Sequence, residues 1–189
     1  MRVIAGTAGS LPLKTLPGLS TRPTQDRIKE TLFNILQPYI PGCRFLDLFA
    51  GSGAMGIEAL SRGAVFAAFV EKNAAASRII RENLHFTGLE DRALNLCTDA
   101  VSGLKTQKII REAPYDIVFM DPPYGTGEGE KALQALLKSP AVSPETIIIL
   151  EESIRFDPSV ILEMPFEITR DKRYKTNRHL FMRLKKETT

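Results

Sequence analysis

Apolar positions in this chain change their rhythm from one region to the next. Between residues 44 and 150, short dense apolar runs alternate with longer stretches spaced by threes and fours. Phe45-Leu46-Asp47-Leu48-Phe49, Phe66–Val70, Ala93–Cys97, Tyr115–Met120 and Thr146–Leu150 are brief runs and read as buried strands. The intervening spacing predicts helices over Gly53–Arg62, about 73–86, about 100–112 and 128–138. In the second of these Asn73 is the expected N-cap, and Ile79, Ile80 and Leu84 supply the apolar face. Such alternation implies an α/β fold with a mostly parallel, doubly wound sheet. After residue 165 the pattern shifts. Phe166–Tyr174 and His179–Leu184 read as two strands around Lys175-Thr176-Asn177-Arg178, an antiparallel C-terminal hairpin that ends the sheet.

The first 42 residues do not share the alternation. Arg2–Ala5 and Leu11–Thr15 read as a small hairpin, and Thr24 begins a helix through about Leu36. Pro38 and Pro41-Gly42 then separate this segment from the rest. The expected division is a small N-terminal extension over 1–42, serving as a lid for RNA and cofactor, and a main domain over 43–189. With 189 residues, 43% apolar and 25% charged, the chain fits one ordinary globular unit. Its apolar runs fall far short of the roughly 20 residues of a membrane span. No apolar leader opens the chain, so a cytoplasmic protein without membrane contact is expected. Cys43 and Cys97 lack metal-ligand spacing and read as reduced thiols, and His85 and His179 add no site; no metal is expected.

Charge changes the picture further. The net charge of +3 divides into +3 over residues 1–30, +6 over 170–189 and −6 over the 139 residues between. Basic ends around an acidic middle point to a polyanion gripped at the edges, with nucleic acid the first candidate.

Gly51-Ser52-Gly53-Ala54-Met55-Gly56 satisfies G-x-G-x-x-G, a loop that brings backbone close to a ligand at a helix N-terminus. Asp47 stands four residues before it, inside the strand end. A carboxylate there repels a pyrophosphate but suits a cationic ligand, and S-adenosylmethionine carries both an ammonium and a sulfonium. Glu71, at the end of the second strand, is placed to accept two ribose hydroxyls. Asp99, after the third strand, either accepts an adenine amine or caps the next helix.

Behind Ile117-Val118-Phe119-Met120 comes Asp121-Pro122-Pro123-Tyr124. The prolines lack N–H groups and stiffen the segment, which leaves carbonyls free beside one carboxylate and one flat ring. That set suits an amine on a conjugated ring. Asp121 and a proline carbonyl would orient the nitrogen lone pair while Tyr124 stacks on the base. A base within folded RNA would be extruded first.

With these residues in hand, the chain resembles the RsmD-like guanine-N2 methyltransferases of bacterial small-subunit ribosomal RNA. The resemblance rests on Arg22-Pro23-Thr24 with Asp26-Arg27 and Glu30-Thr31-Leu32-Phe33-Asn34, then Asp47–Gly53 running on to Glu58-Ala59-Leu60-Ser61-Arg62-Gly63, then Asp121–Tyr124. It implies a Rossmann-like class I methyltransferase fold, with S-adenosylmethionine held by Asp47, Ala50, Gly51, Gly53, Glu71, Asp99, Ala100 and Thr24. It also implies Asp121, Pro122 and Tyr124 at the target guanine of 16S rRNA, within an assembling 30S particle, for a monomeric enzyme. Residues 7–12 carry no charge before Lys14, so the RNA contacts are expected from Arg22, Arg27, Arg173, Lys175 and Arg178, with Arg170 and Lys172 beside them. Other readings are amino-methylation of DNA adenine or protein glutamine, a nicotinamide oxidoreductase, and a non-catalytic assembly factor. Asp121, where asparagine is common in the first of these, and Asp47 favour the guanine reading.

Overall fold

Period-two alternation in the strands sorts their side chains onto two faces, and both faces are covered. A computed structural model describes residues 1–16 and 23–185 of the chain. Five parallel strands, β1 (Arg44–Leu48), β2 (Phe66–Val70), β3 (Ala93–Leu96), β4 (Ile117–Met120) and β5 (Ile147–Ser153), join an antiparallel hairpin of β6 (Phe166–Arg173) and β7 (Asn177–Leu184). The sheet order is β3-β2-β1-β4-β5-β7-β6. On one face Phe45, Phe69, Ile117, Phe119, Ile149 and Phe181 form a buried cluster with α1 (Pro23–Leu36), α2 (Ala54–Ser61) and α3 (Ala74–Thr87). On the other, Leu46, Leu48, Val118, Met120, Ile148 and Leu180 pack beneath α4 (Ala100–Gly103), α5 (Gln107–Arg111), α6 (Glu128–Leu136) and α7 (Ser159–Leu162). Burial on both sides is why the central strands read as continuous apolar runs.

Local chemistry sets the helix ends. The Asn73 side chain accepts from the N–H groups of Ala75 (2.8 Å) and Ala76 (3.1 Å), a cap worth about 1 kcal/mol. Gly88, at φ +66, closes α3. The helix expected over 100–112 is two short ones. Gly103 packs so tightly on Val70 that an added Cβ would lie 2.7 Å from it, and Thr106 restarts the chain by capping Ile109. α7 has no counterpart among the expected elements. The most consequential difference is at β5, which continues past Leu150 through Glu151 and Glu152 because β7 pairs with it from Asn177 onward.

The N-terminal segment is tied to α2 by polar groups. Val3, Ala8 and Leu13 are buried in the same cluster as Phe33, Phe45 and Leu60. Glu58, fully buried on α2, accepts from Ile4 N–H (2.7 Å), Ala5 N–H (3.1 Å), Lys29 Nζ (3.2 Å) and Arg62 Nε (2.7 Å). Gly6 comes so close to α2 that a Cβ would lie 1.9 Å from the Ser61 carbonyl oxygen. Among the described residues no helix is long and apolar enough to cross a membrane.

Candidate active site

The chain winds outward from β1 through β2 and β3 on one side, and from β4 to β5 on the other. The carboxyl ends of β1 and β4 therefore border the crevice where open α/β sheets bind ligands. Leaving β1, the chain passes Phe49 (φ +70) and Ala50, whose N–H groups both donate to the Val70 carbonyl, before Gly51 (φ +55) and Gly53 (φ +78). The glycines differ in purpose. A Cβ on Gly51 would meet nothing within 4 Å, so this turn faces open space. One on Gly56 would strike the Phe69 ring at 2.3 Å, so that glycine seats α2 on the sheet.

Two carboxylates hold the turn. Glu71, 9% exposed, accepts from Gly51 N–H (2.8 Å) and Asn73 N–H (2.7 Å). Asp47, 1% exposed, accepts from Gly56 N–H at 3.1 Å. It lies beneath the loop rather than open to a ligand. Burial pushes its pKa up to about 7, the Gly56 N–H opposes this, and the charge of Glu71 adds to the rise. Asp99 is exposed and caps α4 through Ser102 N–H (2.9 Å), which holds its carboxyl below the usual range, with Ala100 buried beside it. Thr24 falls in α1, but its side chain lies outside the described residues. An open cradle at Gly51, with acidic groups beside and below it, fits a ligand bearing hydroxyls and positive charge.

Across the crevice, Asp121 follows β4 and its carboxylate has no hydrogen-bond partner among the described residues. Pro122 is buried beneath it, while Tyr124 is 45% exposed. Close packing at the strand end raises the Asp121 pKa well above the usual carboxylate range, and the like charges of Glu151, Asp47 and Glu152 add to this. Its side chain still meets solvent, which softens the first effect. Tyr124 donates its hydroxyl to Glu151 Oε1 at 3.2 Å, and packing together with the Glu151 charge pushes the phenol up. Glu151 also contacts Asn177 Nδ2 (2.5 Å) and His179 Nε2 (2.9 Å). Burial alone would raise its pKa, but the His179 contact and charge, with Asn177 and Tyr124, hold it below the usual value.

A Bacillus subtilis protein described as a candidate rRNA methyltransferase (YlbH) is 44% identical over 137 residues, covering 72% of each chain. Ribosomal RNA small subunit methyltransferase D of Escherichia coli is 38% identical over 156 residues, 82% of this chain and 75% of its own. A solved Escherichia coli structure, described as that of a candidate methyltransferase (yhhF), superimposes with a TM-score of 0.84 at 33% identity and covers 98% of both chains. Residues 1–183 match the family described as Conserved hypothetical protein 95. The chain belongs to this RsmD family. Its fold is that of class I methyltransferases, as the family resemblance implied, with the parallel alternation and the closing hairpin read from the strand pattern both present.

Within this RsmD-family fold the expected RNA contacts separate. Arg27 is exposed on α1, and Arg22 lies outside the described residues. Lys175 is exposed at the hairpin turn, and Arg173 is exposed although Asp171 holds its Nε at 2.7 Å. Arg178 is a correction. It is 4% exposed, and its guanidinium is taken by Asp171 and by the Phe156 carbonyl at 2.9 Å, so it braces the hairpin and presents nothing to a phosphate. A groove of about 530 Å³ runs between α1 and β6, lined by Thr31, Asn34, Ile35, Arg170, Asp171 and Lys172. His179, expected to add no site, stands beside Glu151 in register, and neither residue was among the expected site residues. The available signal was Glu151-Glu152 directly behind an apolar run, the same acid-at-strand-end pattern that marks Asp47 and Asp121.

Proposed function

We propose that this chain transfers a methyl group from S-adenosylmethionine to the exocyclic N2 amine of a guanine in small-subunit ribosomal RNA. The observation that carries the reading is the unpartnered Asp121 carboxylate beside an exposed Tyr124 ring, at the same crevice as the open turn at Gly51. The printed name of the Escherichia coli relative supports the class of RNA.

When bound, the cofactor supplies an electrophilic methyl group on a sulfonium. Ala50, Gly51 and Gly53 would pass close to it, Glu71 would accept ribose hydroxyls, and Asp99 with Ala100 would border the adenine. Asp47 would act from beneath the loop, its ionised form favoured by the ligand's positive charge. Thr24 and the start of α1 would lie over the same site. On the substrate side, Asp121 accepts one N2 hydrogen. The Pro122 carbonyl takes the other, since that of Pro123 is engaged by Thr126 at 2.8 Å. With both hydrogens held, the nitrogen lone pair points at the methyl group, and positioning supplies most of the rate. No strong base is needed before attack, because the nitrogen becomes acidic only as its new bond forms. A carboxylate with a raised pKa is then suited to receive that proton. Tyr124 stacks on the extruded base and offsets part of its unstacking. Arg27, Arg173 and Lys175 would hold phosphates of an assembling particle, engaged by a monomer.

Methyl transfer from labelled cofactor to small subunits of a strain lacking the modification, followed by mass mapping, tests the reading. Label on a single N2-methylguanine is the expected result. Cofactor binding without any incorporation would overturn it.

A further inference from the structure

We propose that Glu151 is a positioning residue of the methyl-transfer site, clamped by His179 and Asn177 and acting on the base through the Tyr124 ring. The inference rests on the stacking role given to Tyr124 above.

Register brings the parts together. Met120 pairs with Leu150, so Asp121 and Glu151 emerge side by side, and Glu151 pairs in turn with His179 of β7. Both Glu151 oxygens are engaged. Oε1 receives the Tyr124 hydroxyl and Asn177 Nδ2, and Oε2 faces His179 Nε2. An exposed tyrosine held at its hydroxyl keeps its ring fixed before a base arrives, and such ordering need not then be supplied by binding. Without Glu151 the ring would rotate freely at the mouth of the site.

The donors reach Glu151 from a poorly satisfied interior. His179 and Asn177 are 1% and 6% exposed, and the buried atoms Tyr174 Oη, Asn177 Oδ1 and His179 Nδ1 have no partner among the described residues. Tyr174 meets the His179 imidazole edge-on at 5.2 Å between ring centroids, and Phe119 meets it at 6.2 Å. Hydrophobic residues at 177 and 179 would suit this interior better if stability alone were at stake. Polar groups here make sense as supports for the carboxylate that accepts the Tyr124 hydroxyl. The clamp also hangs from the turn that exposes Lys175, which links the RNA-facing tip to the ring.

The test is a double-mutant cycle on kcat with saturating small subunits, alongside calorimetric cofactor Kd. Glu151→Ala and Tyr124→Phe should each lower kcat about tenfold, and the double variant should lose no more than either alone. Glu151→Gln, which keeps an acceptor for the hydroxyl, should recover part of the loss, and cofactor Kd should stay within about twofold throughout. Losses that multiply in the double variant would overturn the proposal. Ring-labelled tyrosine NMR reads the clamp without turnover, since the chain has four tyrosines and Tyr39 and Tyr115 serve as references. Glu151→Ala should shift the Tyr124 signal and leave those two in place; an unmoved Tyr124 signal also overturns the clamp. If the signal moves but the unaltered protein methylates no small subunit, the clamp stands and the RNA reading falls.

Discussion

Two carboxylates of this fold, Glu58 and Asp121, have opposite surroundings. Glu58 on α2 is fully buried, receives four donors and lies between the cations Lys29 and Arg62. Asp121 has no donor among the described residues and is surrounded by the anions Glu151, Asp47 and Glu152. The first arrangement joins the N-terminal segment to the domain and leaves Glu58 with no lone pair to spare. The second keeps a carboxylate open, at an electrostatic penalty the fold tolerates. The buried acid whose needs are met holds structure; the exposed one, with no protein donor among the described residues, is left open to a ligand.

Substitutions can break this contrast. Asp121→Ala should lower kcat/KM by about 10²–10³-fold while cofactor binding and stability persist, as single-turnover assays and calorimetry would record. Full activity in that variant would abolish the distinction. Glu58→Ala strands Lys29 and Arg62 and should destabilise the fold by about 3–5 kcal/mol in urea titrations, with turnover of the folded fraction retained. A neutral outcome would mean that Glu58 is no more structural than Asp121.

Asp47 sharpens the comparison through pH. Its folded-state pKa is raised to about 7, so the native state binds more protons than the unfolded chain between the ordinary carboxylate value and that point. Its contribution to stability is therefore complete at low pH and is lost as pH rises through about 7. Cofactor-free protein should weaken across that window, and Asp47→Asn should flatten the slope in denaturation measured from about pH 5 to about pH 8. The smallest effect is at the hairpin tip. Arg173→Glu with Lys175→Glu should weaken RNA binding and reduce the log–log salt slope by about 2, whereas Arg178→Ala should alter stability instead. An unchanged slope would place the phosphate contacts elsewhere.

What the sequence revealed followed from locality. The glycine turn, Asp47 before it and Asp121–Tyr124 are contiguous patterns whose chemistry is visible without a fold. The parallel alternation was equally legible, because each strand and helix carries its own period. Glu151 and His179 were hidden because they meet only through the β5–β7 register, 28 residues apart. Arg178 misled for a related reason. β7 runs between β5 and β6 and is buried over most of its length, so Arg178 has to pair with Asp171 instead of facing water. The helix over 100–112 broke at Gly103, where close packing on Val70 outweighs helix periodicity.

The position of β7 also bears on how the chain survives its own synthesis. β5 carries Ile147-Ile148-Ile149-Leu150, four apolar residues in extended form with no charge among them. Its outer edge is sealed by β7, made after β6, while β6 takes the exposed rim with Glu167, Arg170, Asp171, Lys172 and Arg173. Until β7 pairs with it, this apolar edge of β5 stands unpaired and open to other chains. The charged rim guards the finished sheet against aggregation but gives the nascent one no such protection.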